Sequence, residues 1–394
     1  MKIALVYDHV NKIGGAERIL VALHELFPDA PLFTAVYDSD RAGWARDFQV
    51  RSSFMQALPL AKTYHELYPG VPFLAFSSLD LQEFDIVIVI TSAEAKSVIT
   101  GPRTLSICYC LTPTRYLWSH YSQYFKHKLL AFLSWPVVWF LRVWDMRVSA
   151  RPDKYIAISE TVAKRISKYY KRQAQVIYPP VDTEKFRPKA STNGRWAFGP
   201  DPPLADKVQS ASRRTKSADK LESSYFLVVS RLVDYKRIDI AIEACNRLGL
   251  PLKIVGTGLE ERKLKKLAGS TVEFLGNLTD QELIAYYQGC RALISPQEED
   301  LGISAIEAQA CGKPVIAYRG GGTMETVIAG KTGEFFYPQT VTALISVLEK
   351  LGNRVYNPVL CRKQALKFSK MKFKQQFAKY VSHTWKQYKL AQKL

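Results

Sequence analysis

EDLGISAIEAQACGKPVIA, residues 299–317, holds two glutamates, Glu299 and Glu307, with Gly302 between them. Before it, CRALIS (290–295) reads as a short buried strand, and Pro296 to Gly302 as a loop. Ile303 to Ala310 reads as a helix ended by Gly312 and Pro314, and Pro314 to Tyr318 starts another strand. Such a strand–loop–helix–strand unit sets a loop and a helix N-terminus at the carboxyl end of a parallel sheet. Open α/β sheets bind ligands there. Free amides at the helix start suit an anion such as a phosphate. Two carboxylates beside an anion would repel it, unless they grip hydroxyls. A nucleotide sugar offers both a diphosphate and many hydroxyls. Taken alone, the glutamate pair would equally suit an ordinary βαβ unit with a solvated surface; the glycine loop and the ACGKPVIA that follows argue against that.

Working outward, Ser230-Arg231-Leu232-Val233-Asp234-Tyr235-Lys236-Arg237 follows a strand, Tyr225–Ser230. Arg231 and Lys236 can converge on one diphosphate, the first as a planar fork and the second as a point charge. Both would neutralise charge growing on a leaving group. Arg237 can instead pair with a carboxylate. Gly256-Thr257-Gly258 follows the strand Leu252–Val255, and its glycines would let backbone approach a ligand closely. A dinucleotide fingerprint needs a third glycine where Glu261 stands, so a nicotinamide enzyme is a weak reading. A nucleobase is expected against this loop and the turn Phe274-Leu275-Gly276. Gly14-Gly15-Ala16-Glu17 and Gly320-Gly321-Gly322 are glycine turns before helices, each a ligand loop or a tight turn and no more.

Strand-like runs alternate with helical ones along the 394 residues, which predicts an α/β fold of two Rossmann-like domains. The expected division is 1–186, a poorly ordered Ser/Pro/Lys-rich insertion at 187–223, a second domain over 224–360, and a basic helix over 361–394 with Phe368, Phe373 and Phe377 as its apolar positions. Thr279 and Glu282 form a capping box before a helix at 281–288. The six cysteines include no CxxC pair and read as free thiols, with Cys108 and Cys110 on one strand face. Lys2–Tyr7 runs directly into a strand pattern, so no signal peptide is expected. No apolar run reaches the roughly 20 residues of a membrane span.

The net charge of +19 is uneven. Residues 126–175 carry 11 Lys/Arg against 3 Asp/Glu, and 361–394 carry 10 against none. Such patches fit an anionic membrane surface or nucleic acid. No nucleic-acid motif is visible, and that reading leaves the glutamate pair without a role. Leu129–Trp144, with three tryptophans and basic flanks, is either an interfacial membrane contact or a buried helix.

Together these motifs resemble the family-four retaining glycosyltransferases, and within them bacterial mannosyltransferases of O-antigen and polysaccharide assembly. The matching pieces are GGAER (14–18), LFPDA (26–30), CYC-x-TPTRYLW (108–118), KYIAIS (154–159), VIYPPVDTEKF (176–186), VSRLVDYKRID (229–239), EDLGISAIEAQACGKPVIAY (299–318) and GGGTMETVIAGKTGEFF (320–336). The resemblance implies a GT-B fold, two domains facing across a cleft, with the last helix crossing back to the first domain. It implies that Glu299 contacts the donor sugar and Glu307 the ribose. Gly302, Ile303 and Ser304 would give backbone contacts to sugar and diphosphate, Gly256 and Leu275 would line the base, and Gly14 and Gly15 would face the donor. Arg231 and Lys236 would stabilise the diphosphate while the leaving phosphate itself takes the acceptor's proton on the same face. The implied reaction moves a sugar, mannose from GDP-mannose first and a UDP-sugar as the alternative, onto a lipid-linked or polysaccharide acceptor. A phosphorylase or epimerase on the same fold is a further reading. No cofactor and no obligatory metal are expected, and the expected place is the cytoplasm, at the inner face of the membrane. One departure stands out: where the resembled enzymes carry a histidine near the donor sugar, this chain has Leu111, and His9, Thr112 and His120 are the neighbours that could replace it.

Overall fold

The computed structural model describes residues 1–394 apart from 13, 65–66, 120, 122–127, 190–224, 353 and 393–394. In chain order the elements begin β1 (Ile3–Tyr7), α1 (Gly15–His24), β2 (Leu32–Thr34), β3 (Val50–Ser52), α2 (Val71–Ser77), β4 (Ile86–Thr91) and β5 (Leu105–Cys110). They continue with α3 (Lys128–Val148), β6 (Lys154–Ala157), α4 (Glu160–Tyr170) and β7 (Ala174–Val176). Beyond residue 224 come β8 (Phe226–Val229), α5 (Ile238–Leu248), β9 (Leu252–Val255), α6 (Glu261–Leu267), β10 (Val272–Gly276), α7 (Asp280–Gly289) and β11 (Ala292–Ser295). Then follow α8 (Ile303–Ala310), β12 (Val315–Tyr318), α9 (Thr323–Thr326), β13 (Gly333–Phe336), α10 (Val341–Leu351), α11 (Pro358–Ala365) and α12 (Lys370–Ala391).

The strands form two parallel sheets, seven-stranded β3-β2-β1-β4-β5-β6-β7 and six-stranded β10-β9-β8-β11-β12-β13. Buried on both faces, a parallel strand reads as one apolar run, and β4 (IVIVIT) is buried throughout. In each sheet the order reverses once, between β1 and β4 in the first and between β8 and β11 in the second. The capping box at α7 forms: Thr279 accepts from the Glu282 amide while Glu282 reaches back to Thr279.

The chain divides into two compact units, Met1–Pro180 with Lys370–Leu394, and Val181–Ser369. The first crossing thus falls before the expected 186, because residues 181–186 pack on the second unit. The Val181 amide donates to Phe368 O (2.9 Å). Arg362 donates to the carbonyls of Thr183, Phe186 and Ala310, and Phe186 meets the Tyr287 ring edge-on. The helix expected over 361–394 is two helices, interrupted by a 3₁₀ turn at Leu366–Phe368. Ser369 is extended there, at ψ 151, where the chain crosses back. Of the insertion expected at 187–223, all but 187–189 lies outside the described residues.

In the first unit Ile3, Leu5 and Tyr7 share a core with α1, while Ala4 and Val6 share another with Ala75 and Phe76 of α2. The last helix, α12, lies with α1: Phe373 and Phe377 meet the Tyr109 ring at 6.1 and 5.9 Å, and Lys370 and Lys374 hold Glu25. Val138 and Leu141 of α3 cluster instead with Phe73 of α2. Met146, near the end of α3, packs on the same core as Phe373 and Phe377 of α12. Helix α3 is only partly a core helix: Val138 and Leu141 are buried, whereas Trp135, Val137, Trp139 and Phe140 are more than half exposed. Among the described residues no helix is long and apolar enough to cross a membrane. All six cysteines are buried free thiols.

Candidate functional site

The second sheet reverses its order at β8 and β11, and the residues leaving those two strands meet above their carboxyl ends. After β8 the chain turns through Asp234–Lys236, a 3₁₀ turn that buries Lys236. After β11 it carries Glu299. Lys236 Nζ donates to Glu299 Oε1 at 2.7 Å, with the two side chains 10% and 17% exposed. A cation and a carboxylate thus bridge the switch point, the crevice where open α/β sheets take ligands. Gln297, between β11 and Glu299, gives the same Oε1 a second hydrogen bond from Nε2 at 2.5 Å. Sequence reasoning missed Gln297, since a glutamine two residues before a glutamate carries no motif.

Gly302, at φ +87, leads into α8. Glu307, one turn into that helix, is 3% exposed and accepts from Tyr287 OH at 2.8 Å. Tyr287, on α7, is a second partner the sequence did not signal. Arg231 is exposed and donates to Tyr235 OH at 2.8 Å. The structure therefore joins Lys236 to Glu299, while Arg231 stands on the same loop turned to Tyr235. Arg237 pairs with Asp239 at 3.0 Å, the carboxylate option.

Gly256 is closely approached by backbone. Its φ is +126, and a Cβ there would lie 2.0 Å from Ser230 O. The space is filled by the loop that carries Arg231, tied across by Ser230 N to Val255 O (3.0 Å) and Leu232 N to Thr257 O (2.9 Å). The glycine thus admits a neighbouring backbone to the sheet edge. Leu275 is half-buried near the end of β10. The 320–322 glycines likewise seat against the acidic loop: Gly322 N donates to Glu299 O at 2.7 Å.

In the first unit Gly14 caps α1, Gly15 begins it, and Glu17 accepts from Tyr7 OH at 2.8 Å. Its own switch point, between β1 and β4, holds a buried polar group. Asp8 accepts from Thr91 Oγ1 (2.6 Å) and from the amides of Ser92 (2.8 Å) and Ala95 (3.0 Å). Glu94 accepts from Tyr116 OH at 2.7 Å. Burial, and then the charge of Asp8, push the Glu94 carboxyl up to about 7. Lys96 and Asp145 form an ion pair of 2.7 Å, and Asp145 also accepts from Thr114 and Trp118 Nε1. That network fixes the 114–118 segment. Leu111, just before it, packs on the core of this unit. Of its neighbours, Thr112 accepts from Arg165 at 3.4 Å, His9 is buried, and His120 lies outside the described residues. Among the described residues no three His, Cys, Asp or Glu side chains could hold a metal together. Asp38, of the triplet Asp38-Ser39-Asp40, accepts from the amides of Asp40 and Arg41 in its own turn.

Two parallel α/β units of these strand orders make up the GT-B fold of glycosyltransferases. The solved structure of Anabaena HepE in complex with UDP and glucose matches with a TM-score of 0.69 and 20% identity, over 97% of this chain and 99% of its own. Residues 210–358 match the family described as glycosyl transferases group 1. A D-inositol 3-phosphate glycosyltransferase of Corynebacterium urealyticum is 31% identical over 49% of this chain and 46% of its own. A GDP-mannose-dependent phosphatidylinositol monomannoside mannosyltransferase of Mycolicibacterium smegmatis is 29% identical over 53% and 57%. The chain spans about half the length of these curated relatives.

Proposed function

We propose that this chain is a retaining glycosyltransferase that moves mannose from GDP-mannose onto a lipid-linked or polysaccharide acceptor in cell-surface glycan assembly. One observation carries the reading: the Lys236–Glu299 pair spans the switch point of the second sheet beside the start of α8. A diphosphate placed there would draw on Lys236 and Arg231, and Glu299 would accept from a sugar hydroxyl. Cations that meet the diphosphate lower the barrier to its departure, because the charge develops there in the transition state. The departing phosphate then takes the acceptor's proton on the same face, which keeps the anomeric configuration. Glu307, held by Tyr287, would take the ribose.

Mannose rests on the motif resemblance and on the Mycolicibacterium relative, whose name states GDP-mannose. A UDP-sugar is the second reading, supported by HepE, which was solved with UDP and glucose. A thermal-shift series with GDP-mannose, UDP-glucose and ADP-glucose separates them, since a ligand that binds only the native state raises its melting temperature. The largest rise is expected with GDP-mannose, unchanged by EDTA. A larger rise with a UDP-sugar moves the donor assignment, and no rise with any of them removes the function. Peripheral attachment to an anionic membrane at the cytoplasmic face belongs to the same proposal, supported by the exposed aromatic face of α3.

A further inference from the structure

Gln297 is 2% exposed, in a loop held by contacts on either side. Gln339 Nε2 holds Pro296 O at 2.8 Å on one side. On the other, Gly321 lies so close that a Cβ would come 2.2 Å from Glu299 O. A carboxylate can only accept, so Gln297 must offer its amide nitrogen to Glu299. Its own carbonyl oxygen is then buried and meets no donor among the described residues. Leaving a buried acceptor unmet is destabilising, whereas an apolar side chain of the same shape carries no such cost. Ser295 Oγ, at the end of β11, is in the same position. What the arrangement secures is the carboxylate. Gln297 and Lys236 both donate to Glu299 Oε1, and Oε2 receives no hydrogen bond among the described residues.

We propose that Gln297 is a positioning residue: with Lys236 it fixes the rotation of the Glu299 carboxylate so that Oε2 is presented to a hydroxyl of the sugar end of a nucleotide sugar. The site thereby prefers nucleotide sugar to the bare nucleoside diphosphate. This rests on the glycosyltransferase reading above. The strain of an unmet carbonyl is accepted at this point because a carboxylate free to rotate would recognise a hydroxyl less well.

Two variants test it. Gln297→Met keeps the length and removes both the donor and the unmet acceptor. Its melting temperature is expected to equal or exceed that of the wild type. Its affinity for the nucleoside diphosphate should be unchanged, while its preference for the nucleotide sugar falls roughly tenfold, the worth of one such hydrogen bond. Gln297→Glu places a carboxyl against Glu299. Its preference should be weak at pH 8 and recover towards pH 6, where a protonated Glu can again donate; a purely structural role gives no such recovery. Calorimetric titration with GDP and GDP-mannose, or the pair selected by the donor series, reads both. Gln297→Met with wild-type preference overturns the proposal. So does a variant that melts several degrees lower and loses both ligands in parallel, or a stably folded Gln297→Glu that does not recover. If the wild type itself binds no nucleotide sugar, it is the function that fails, and the inference with it.

Discussion

Lys236 and Arg231 lie on one loop and are held in opposite ways. Lys236 is nearly enclosed and paired with Glu299; Arg231 is exposed on Tyr235. Lys236→Ala would leave Glu299 without its main counter-charge, so a stability loss of about 1–3 kcal/mol and a large fall in turnover are both expected. Arg231→Ala should melt like the wild type and lose turnover alone. Thermal melts beside transfer assays distinguish the two, and wild-type turnover in the double variant would remove both from the site. Glu94 offers a prediction in pH. Burial and Asp8 raise its carboxyl to about 7, above the ordinary value of about 4.3 that the unfolded chain shows. The native state therefore keeps a proton that the unfolded state gives up. The stabilisation is full below about pH 4 and is lost as pH rises to about 7. The groups facing Glu94 are Asp8, Tyr116, Lys96 and Asp145. Glu94→Gln should lose less melting temperature between pH 5 and pH 8 than the wild type; identical slopes in the two proteins would refute the assignment. The sequence singled out Arg231, Lys236, Glu299 and Glu307, because they sit in motifs. It did not show Gln297, Tyr287 or the Glu94 group. Their importance lies in burial and in partners distant along the chain, such as Asp145 for Lys96, and local pattern holds no record of either.

At the scale of elements, the long apolar strands were readable almost to the residue: β1, β4, β5, β9 and β11 run as their sequence predicts. The short edge strand β3, with half-exposed VRS, was not, because three residues set no period. The end of the chain failed for another reason. Lysine and alanine favour helix on both sides of Ser369, and the break there comes from the Val181–Phe368 hydrogen bond, a partner far off in sequence. Glycines join elements in the second unit. Gly256→Ala would drive a methyl into Ser230 O and would demand a φ that alanine resists. We expect a loss of about 1–3 kcal/mol, together with weaker nucleotide binding as the Arg231 loop is displaced. Gly249→Ala, whose Cβ would meet nothing within 4 Å, is the control, with a smaller loss of melting temperature and unchanged binding.

At the scale of the molecule, the two basic segments differ in what they expose. Helix α3 presents Trp135 and Trp139 more than half exposed, whereas Trp385 of α12 is half-buried against the core. The sequence offered both charge patches as candidates, since charge counts carry no direction. With α3 as the attachment face, Trp135→Ser/Trp139→Ser should weaken binding to anionic vesicles roughly tenfold or more, from the lost apolar burial. Lys379→Glu/Lys386→Glu on α12 should change it little. The reverse ranking in a co-sedimentation assay would assign the membrane to α12, and no vesicle binding by the wild type would end the proposal. The place of α12 also bears on how the protein is made. Residues 1–180 leave the ribosome first, yet Tyr109 has no aromatic cover until Phe373 and Phe377 emerge, after the whole of Val181–Ser369. The second unit is contiguous and can fold as it appears. The first must wait with part of its core uncovered, so a chain cut short before Phe373 would leave the Tyr109 face of that core open.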